Sequence, residues 1–124
     1  MAGIKLSAGA MLKLDALSVA RRKFDHIHAL VEQYGGARGA GEDALLRSLA
    51  RAATEVGRVF MNNGYGIMAD HTNQIAMLAK RGVGKPQKLR TFRETIAAVR
   101  SAMDHAEKML IDEERRAQQA EANE

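Results

Sequence analysis

Residues 85–110 read KPQKLRTFRETIAAVRSAMDHAEKML, and this segment decides the fold. Its apolar residues recur at alternating steps of three and four, the spacing of a helix with one buried stripe. The single proline falls near the start, where the first turn of a helix tolerates it. The segment therefore predicts a long C-terminal helix. Its apolar seam comprises Leu89, Phe92, Ile96, Val99, Met103, Ala106 and Leu110.

Three stretches upstream of this helix share the helical period. They predict helices over about residues 7–34, from residue 42 to the Asn62–Gly66 segment, and over residues 67–81. In the third of these helices, the apolar spacing predicts a buried stripe. That stripe consists of Ile67, His71, Ile75 and Leu78.

Length and composition agree with one helical domain. Of the 124 residues, 46% are apolar, which is enough for a core, and only 4% are aromatic. Strong helix formers dominate the rest of the chain. We therefore predict an all-α, single-domain bundle of about four helices in residues 1–111. A polar, acidic helical extension or frayed tail is predicted to follow in residues 112–124.

The composition also argues against several classes of protein. The chain has no cysteine, which excludes disulfide bonds and thiolate metal sites. No apolar run approaches the roughly 20 residues that a membrane-spanning helix requires. Residues 1–10 lack the charged start and apolar stretch of a signal peptide. We therefore expect a cytoplasmic protein without membrane contact.

Positive charge is concentrated in three clusters, the first of which is Arg21-Arg22-Lys23 on the first predicted helix. Between Asp70 and Glu94 there are six cations and no acid. On the second predicted helix, three arginines at spacings of four and seven share one face, although Glu55 lies four residues after Arg51 as a candidate ion-pair partner. Basic patches of this kind bind phosphates. The predicted nucleic-acid-binding residues are Arg47, Arg51, Arg58, Lys80, Arg81, Lys85, Lys88, Arg90 and Arg93.

Catalytic and metal-binding patterns are weak in this sequence. The segment Gly82–Pro86 resembles the end of a phosphate-binding loop, but the earlier glycine, the hydroxyl residue and the preceding strand are missing. Asp25, His28 and Glu32 share one helix face, yet a lone Asp-x-x-His falls short of a di-metal bundle site. We therefore expect no enzymatic activity, no cofactor and no metal.

The expected binding mode is contact with the nucleic-acid backbone. Phe92 is the only aromatic residue among the cations and falls on the apolar seam, so base stacking would require Tyr34 or Tyr65. Cations that bind phosphates give a salt-sensitive affinity that is largely independent of base sequence. The expected partners are RNA or single-stranded DNA, other protein subunits and copies of this chain.

One junction resembles a known family. Asn63-Gly64-Tyr65 lies between two predicted helices, and the second of them ends in Leu78-Ala79-Lys80-Arg81-Gly82. This arrangement is similar to that of the small subunits of multisubunit CRISPR effector complexes, one branch of which has an Asn-Gly-apolar junction; Tyr65 and the glycine-rich loop 35–41 depart from it. The resemblance implies a non-enzymatic subunit. Several copies would stack along the complex and hold a guide–target duplex or a displaced strand.

A second interpretation stays open from the sequence. The seam from Leu89 to Leu110 has a spacing that also serves helix pairing between chains. The chain would then be a helical protein-interaction or oligomerisation module, such as an adaptor, a chaperone or a phage structural protein. Salt separates the two interpretations, because phosphate binding weakens as salt rises whereas apolar pairing holds.

Overall fold

The computed structural model describes residues 6–122 of the chain. The helices are α1 (Ala8–Gly36), α2 (Ala40–Asn62), α3 (Gly66–Lys80) and α4 (Lys85–Ala122). The predicted all-α bundle with a long C-terminal helix is confirmed, and α4 continues without a break into the predicted tail. Residues 1–5 and 123–124 lie outside the described residues. The first five belong to the predicted bundle and to the N-terminal segment assessed for a signal peptide, and the last two belong to the predicted tail. The predicted domain boundary after residue 111 stays a prediction.

The four helices form a closed ring in which α1 packs on α2, α2 on α3, α3 on α4 and α4 on α1. The connections between successive helices are short, so neighbouring helices run antiparallel. In the α2–α3 connection, Gly64 adopts a φ of 81°, which glycine reaches at no steric cost. The N–H of Tyr65 then donates to the Phe60 carbonyl oxygen at 2.9 Å and closes the end of α2.

The core lies along the bundle axis, where the apolar stripes of the helices meet. Phe24 of α1, Phe60 of α2 and Phe92 of α4 are each at most 1% exposed. From Phe92 to Met103, the seam residues of α4 are at most 4% exposed, so the predicted seam faces the bundle's own core. The part of the seam from Phe92 to Met103 is therefore not available for pairing with another chain, whereas the interpretation of the chain as a protein-interaction module stays a prediction.

The buried stripe predicted for α3 is wrong at its start. Ile67 is 73% exposed and His71 is only half-buried, whereas Met68 and Thr72 take the buried positions. The hydroxyl group of Thr72 donates to the Met68 carbonyl oxygen at 2.7 Å, which satisfies it inside the core. The buried face of α3 includes three alanines, Ala69, Ala76 and Ala79, which permit a close contact with α2.

That close contact between α2 and α3 centres on a glycine. A Cβ atom at Gly57 would lie 2.5 Å from Oδ1 of Asn73 on α3, so any larger residue there requires the exposed Asn73 side chain to move. Ala53 of α2 and Ala69 of α3 are fully buried and keep the neighbouring contact equally thin. This α2–α3 pair forms the framework of the surface described next.

Candidate nucleic-acid interface

Six of the nine predicted cations line one open cleft, here termed the basic groove. The groove has a volume of about 1080 Å³ and is bounded by α2, the end of α3 and the start of α4. Small and apolar residues lie at its base, among them Leu46, Ala50 and Ala79. Two acids, Asp43 and Glu55, also line it. The six cations are Arg47, Arg51, Arg58, Lys80, Arg81 and Lys88.

The α2 wall of the groove carries three exposed arginines. Arg47, Arg51 and Arg58 extend over about 16 Å of helix axis, at 1.5 Å per residue. The candidate pairing of Arg51 with Glu55 is wrong, because Glu55 Oε1 lies 2.8 Å from Nζ of Lys23 on α1. That hydrogen bond and the charge of Lys23 lower the pKa of the Glu55 carboxyl, with a smaller contribution from Arg58. Among the described residues, none of the three arginines forms an ion pair.

The opposite wall comes from the end of α3. Lys80 is the last residue of the helix and Arg81 follows it, and both side chains are exposed. The N–H of Arg81 donates to the Leu78 carbonyl oxygen at 3.1 Å, which closes the helix. Cations at this end of a helix are favoured by the helix dipole. Neither side chain forms an ion pair within residues 6–122.

Lys88 enters the groove from the first turn of α4. The residue is 6% exposed, yet its side chain has no hydrogen-bond or ion-pair partner in the described part of the chain. No buried side-chain nitrogen or oxygen atom there lacks a partner, so Lys88 Nζ keeps contact with solvent, and the groove that it lines provides this contact. A lysine with a buried stem and an unpartnered ammonium group is suited to hold an anion.

Lys85 lies only three residues before Lys88 but outside the basic groove. Its Nζ donates to Glu42 Oε1 and to the carbonyl oxygen of Ala37, each at 2.7 Å. The same ammonium group lies 5.1 Å from the centre of the Tyr34 ring. Lys85 therefore ties the start of α4 to the α1–α2 connection.

Arg93 and Arg90 lie beside a second, smaller depression on α4. Arg93 donates two hydrogen bonds of 3.1 Å to the Glu32 carboxylate of α1. These hydrogen bonds are the main cause of a lowered pKa for Glu32. Arg90 is exposed and forms no ion pair within the described range. The stretch from Lys80 to Arg93 thus contains no acid in sequence, but in the folded protein Glu42 contacts Lys85 and Glu32 contacts Arg93.

Neither tyrosine considered for base stacking lines the groove. Tyr34 is 3% exposed, and its ring meets the Phe92 ring edge-on with 6.2 Å between their centres. Tyr65 is half-buried at the α2–α3 connection, where burial raises the pKa of its hydroxyl group. The groove therefore offers cations to phosphates and no tyrosine face to a base.

Sequence reasoning missed the base of the groove. Leu46, Ala50, Thr54 and Ala79 line it, and the Thr54 hydroxyl donates to the Ala50 carbonyl oxygen at 2.8 Å. Their residue types carry no signal of a binding site. They form the base only because α2 and the end of α3 lie side by side in the folded protein, and residue types in the sequence do not reveal this packing.

The other clusters noted in the sequence do not join this groove. Arg21 of α1 pairs with Asp104 at 3.0 Å and with Glu107 at 3.2 Å. His28 Nε2 lies 3.7 Å from Glu32 Oε1, but no three acidic or histidine side chains within the described residues are placed to hold a metal ion.

No helix in the described range is long and apolar enough to cross a membrane. Comparison of the chain with protein-family models, with curated proteins and with solved structures found no match.

Proposed function

We propose that this chain binds the backbone of RNA or single-stranded DNA in the basic groove, as a non-enzymatic subunit of a larger ribonucleoprotein assembly. The observation that carries this proposal is the convergence of six cations from separate helices on one cleft, where none has an ion-pair partner among the described residues. Two acids share the cleft, and the charge of Glu55 is compensated by Lys23.

The geometry of the groove suits a single strand. A strand that lies along α2 would meet Arg47, Arg51 and Arg58 in turn, with about 6 Å of helix axis between the first two. Lys80 and Arg81 would contact the same strand from the opposite wall. Arginine binds phosphate oxygens through its planar fork, whereas lysine acts as a point charge. Such contacts position a backbone without reading its bases.

The assembly part of the proposal rests on the resemblance to the small subunits of CRISPR effector complexes. The helix of that resemblance ends at Lys80 and Arg81, which are both groove cations. In such a complex the chain would hold a guide–target duplex or a displaced strand without cleaving it.

The direct test is binding of a labelled, unstructured RNA strand and of duplex DNA of equal length. Each neutralised phosphate contributes about −0.7 to the salt slope of a single strand, so six contacts predict roughly a 300-fold loss of affinity between about 50 and about 200 mM salt. If neither the RNA strand nor the duplex DNA bound at low salt, the proposal would be overturned.

Charge reversal then assigns the binding to the groove. We expect the triple variant Arg47→Glu, Arg51→Glu and Arg81→Glu to abolish binding, because it places three acids on the phosphate path. The matched control reverses Lys13, Lys108 and Arg116, which are exposed, lie outside the groove and change the net charge by the same amount. Equal loss in both variants would mean that net charge, rather than the groove, binds the strand.

A further inference from the structure

Lys88 differs from the other five cations of the basic groove in its burial. Those five residues are exposed, whereas Lys88 is only 6% exposed. Its ammonium group has no hydrogen-bond or ion-pair partner within residues 6–122. Burial of a charged group costs free energy unless an opposite charge compensates it. An anion bound beside Lys88 would supply that compensation.

The position of Lys88 follows from the unequal lengths of α2 and α3. The two helices run antiparallel, and Gly57 faces Asn73 where they touch. Lys80, the last residue of α3, lies seven residues beyond Asn73, which brings it close to the level of Ala50. α2 begins ten residues before that level, so it extends about 15 Å past the end of α3.

α4 begins beside the part of α2 that α3 leaves uncovered. Lys85 Nζ donates to Glu42 Oε1 at 2.7 Å, which sets the first residue of α4 beside the start of α2. α4 runs parallel to α2, because both helices are antiparallel to α3. Lys88, one turn further along, therefore lies close to the level of Leu46. Its side chain lines the space between α2 and α4 past the end of α3.

This space is a pocket at one end of the basic groove, here termed the Lys88 pocket. Leu46 and Ala50 give it an apolar base, and Gly82 of the α3–α4 connection lies at its edge. Three cations from three parts of the chain complete the lining: Arg47 of α2, Arg81 after α3 and Lys88 of α4. The acid on the same part of α2 is Asp43, which is exposed. Three cations against one acid leave the pocket positive.

We propose that the Lys88 pocket binds the phosphate monoester at the end of a nucleic-acid strand, so that the chain prefers strands with a phosphorylated terminus. This inference rests on the proposed binding of a strand in the basic groove, and it adds the place where that strand ends. The ligand is defined by its chemistry, which the 5′ and the 3′ end of a strand can both carry.

The charges and oxygens of a terminal phosphate match the pocket better than those of an internal one. A phosphate monoester carries a charge of about −1.5 to −2 at pH 7 and three acceptor oxygens. An internal phosphodiester carries one charge and two free oxygens. Three cations that converge from separate segments can each contact one oxygen of the monoester, in charge-assisted hydrogen bonds. An internal phosphate would leave one of them without a partner.

The path of the groove also places the end of a strand here. A strand that follows α2 from Arg58 passes the other α2 arginines and reaches Lys88 last. Past Lys88, Lys85 Nζ donates to Glu42 Oε1 and to the Ala37 carbonyl oxygen, each at 2.7 Å. These contacts join α4 to α2 and to the α1–α2 connection across the path. A strand that ends at Lys88 does not meet this barrier.

The first test compares three RNA oligonucleotides of one unstructured sequence: one with a 5′-phosphate, one with a 3′-phosphate and one with hydroxyl groups at both ends. At about 50 mM salt we expect at least one phosphorylated strand to bind about tenfold more tightly than the hydroxyl strand, because contacts with a buried ammonium group are added. The better ligand identifies the end that the pocket holds.

The outcomes of this test separate the inference from the proposed function. Equal affinity for all three strands would overturn the inference and leave strand binding in the groove intact. If none of the three strands bound, both would be overturned. The comparison uses the unmodified protein, so it does not depend on the folding of any variant.

The second test assigns the preference to Lys88. Lys88→Met removes the ammonium group and keeps an unbranched side chain, so we expect an unchanged helical circular dichroism spectrum and equal affinity for the three strands. Lys80→Met is the matched control: Lys80 is an exposed lysine of the groove outside the Lys88 pocket, so this variant should bind all three strands more weakly and keep the preference. If Lys88→Met kept the preference, or Lys80→Met lost it, the inference would be overturned.

Discussion

The α1–α4 pair and the α2–α3 pair differ in whether their cations form ion pairs across the helix contact. Along α1–α4, three arginines each contact an acid of the facing helix: Arg21, Arg93 and Arg100. Between α2 and α3 no ion pair forms among the described residues, and small buried residues such as Ala53 and Ala69 meet there. Five of the six groove cations lie on these two helices or directly after α3, and Lys88 of α4 is the sixth. The availability of a cation for a ligand thus depends on whether an acid faces it from a neighbouring helix.

The largest effect on stability is expected where α2 and α3 touch. Gly57 is buried, and Gly57→Leu would place a large side chain where a Cβ lies 2.5 Å from Asn73 Oδ1; the exposed Asn73 side chain must swing away, and the rest of the leucine overpacks the α2–α3 contact. Overpacking of this kind costs about 3 kcal/mol, and urea denaturation would measure the loss in free energy of unfolding. Gly36→Leu is the control, because a Cβ there meets nothing within 4 Å. An equal loss in both variants would contradict the close-contact account.

Charge reversal should lower the stability of the protein more on the α1–α4 pair than on the α2–α3 side. Reversing Arg21, Arg93 and Arg100 to Glu removes their ion pairs with the facing helix and sets like charges against each other, so we expect a measurable loss of stability. Reversing Arg47, Arg51 and Arg81 should change stability by no more than about 1 kcal/mol, because these exposed side chains have no ion-pair partner to lose and only Arg81 interacts with a helix dipole. Thermal and urea unfolding of the two variants, side by side, would measure this difference. Similar stabilities would show that the α1–α4 ion pairs contribute nothing.

Two lysines one helical turn apart give the sharpest form of the comparison. Lys85→Met removes hydrogen bonds to Glu42 and to Ala37 and should lower the free energy of unfolding by about 1–2 kcal/mol, with little effect on RNA binding. Lys88→Met keeps the buried stem but removes the unpartnered ammonium group. We expect it to weaken RNA binding and leave stability nearly unchanged. The opposite pattern in RNA titrations and urea unfolding would exchange the roles assigned to the two residues.

The fold was accessible from the sequence because apolar spacing reports directly on helices. The seam from Phe92 to Met103 is buried as its period predicts. The period failed at Ile67, because Met68 and Thr72, each one residue further along, take the buried positions. Periodicity marks the apolar side of a helix to within about a residue, and the packing of the neighbouring helices decides which residues on that side are buried.

The site was only partly accessible, because ion pairs between distant residues are invisible in sequence. Arg51 and Glu55 have the spacing of a helical ion pair, yet Glu55 turns to Lys23 on another helix. Lys85 has no acid nearby in sequence and still meets Glu42 across the bundle. The sequence located the basic residues, whereas the packing of the helices determines which of these residues remain without an ion-pair partner.

The smallest effect concerns pH. Hydrogen bonds from Arg93 and Lys23 lower the pKa of Glu32 and of Glu55 from the ordinary value of 4.5. A carboxyl group whose folded pKa lies below its unfolded pKa stabilises the fold at pH values above the unfolded pKa. That contribution is lost as the pH falls through the folded pKa, so Tm should be steady down to about pH 5 and then fall.

The variant Glu32→Gln combined with Glu55→Gln isolates this contribution. It lacks both titrating groups, so its Tm should start slightly lower at about pH 7 and fall less steeply below pH 4.5 than that of the unmodified protein. Both carboxylates are about half exposed or more, and solvent screening therefore keeps the difference small. Differential scanning calorimetry across the acid range would resolve it. If the two proteins lost the same Tm over the same range, Glu32 and Glu55 would make no contribution to acid unfolding, which would contradict this prediction.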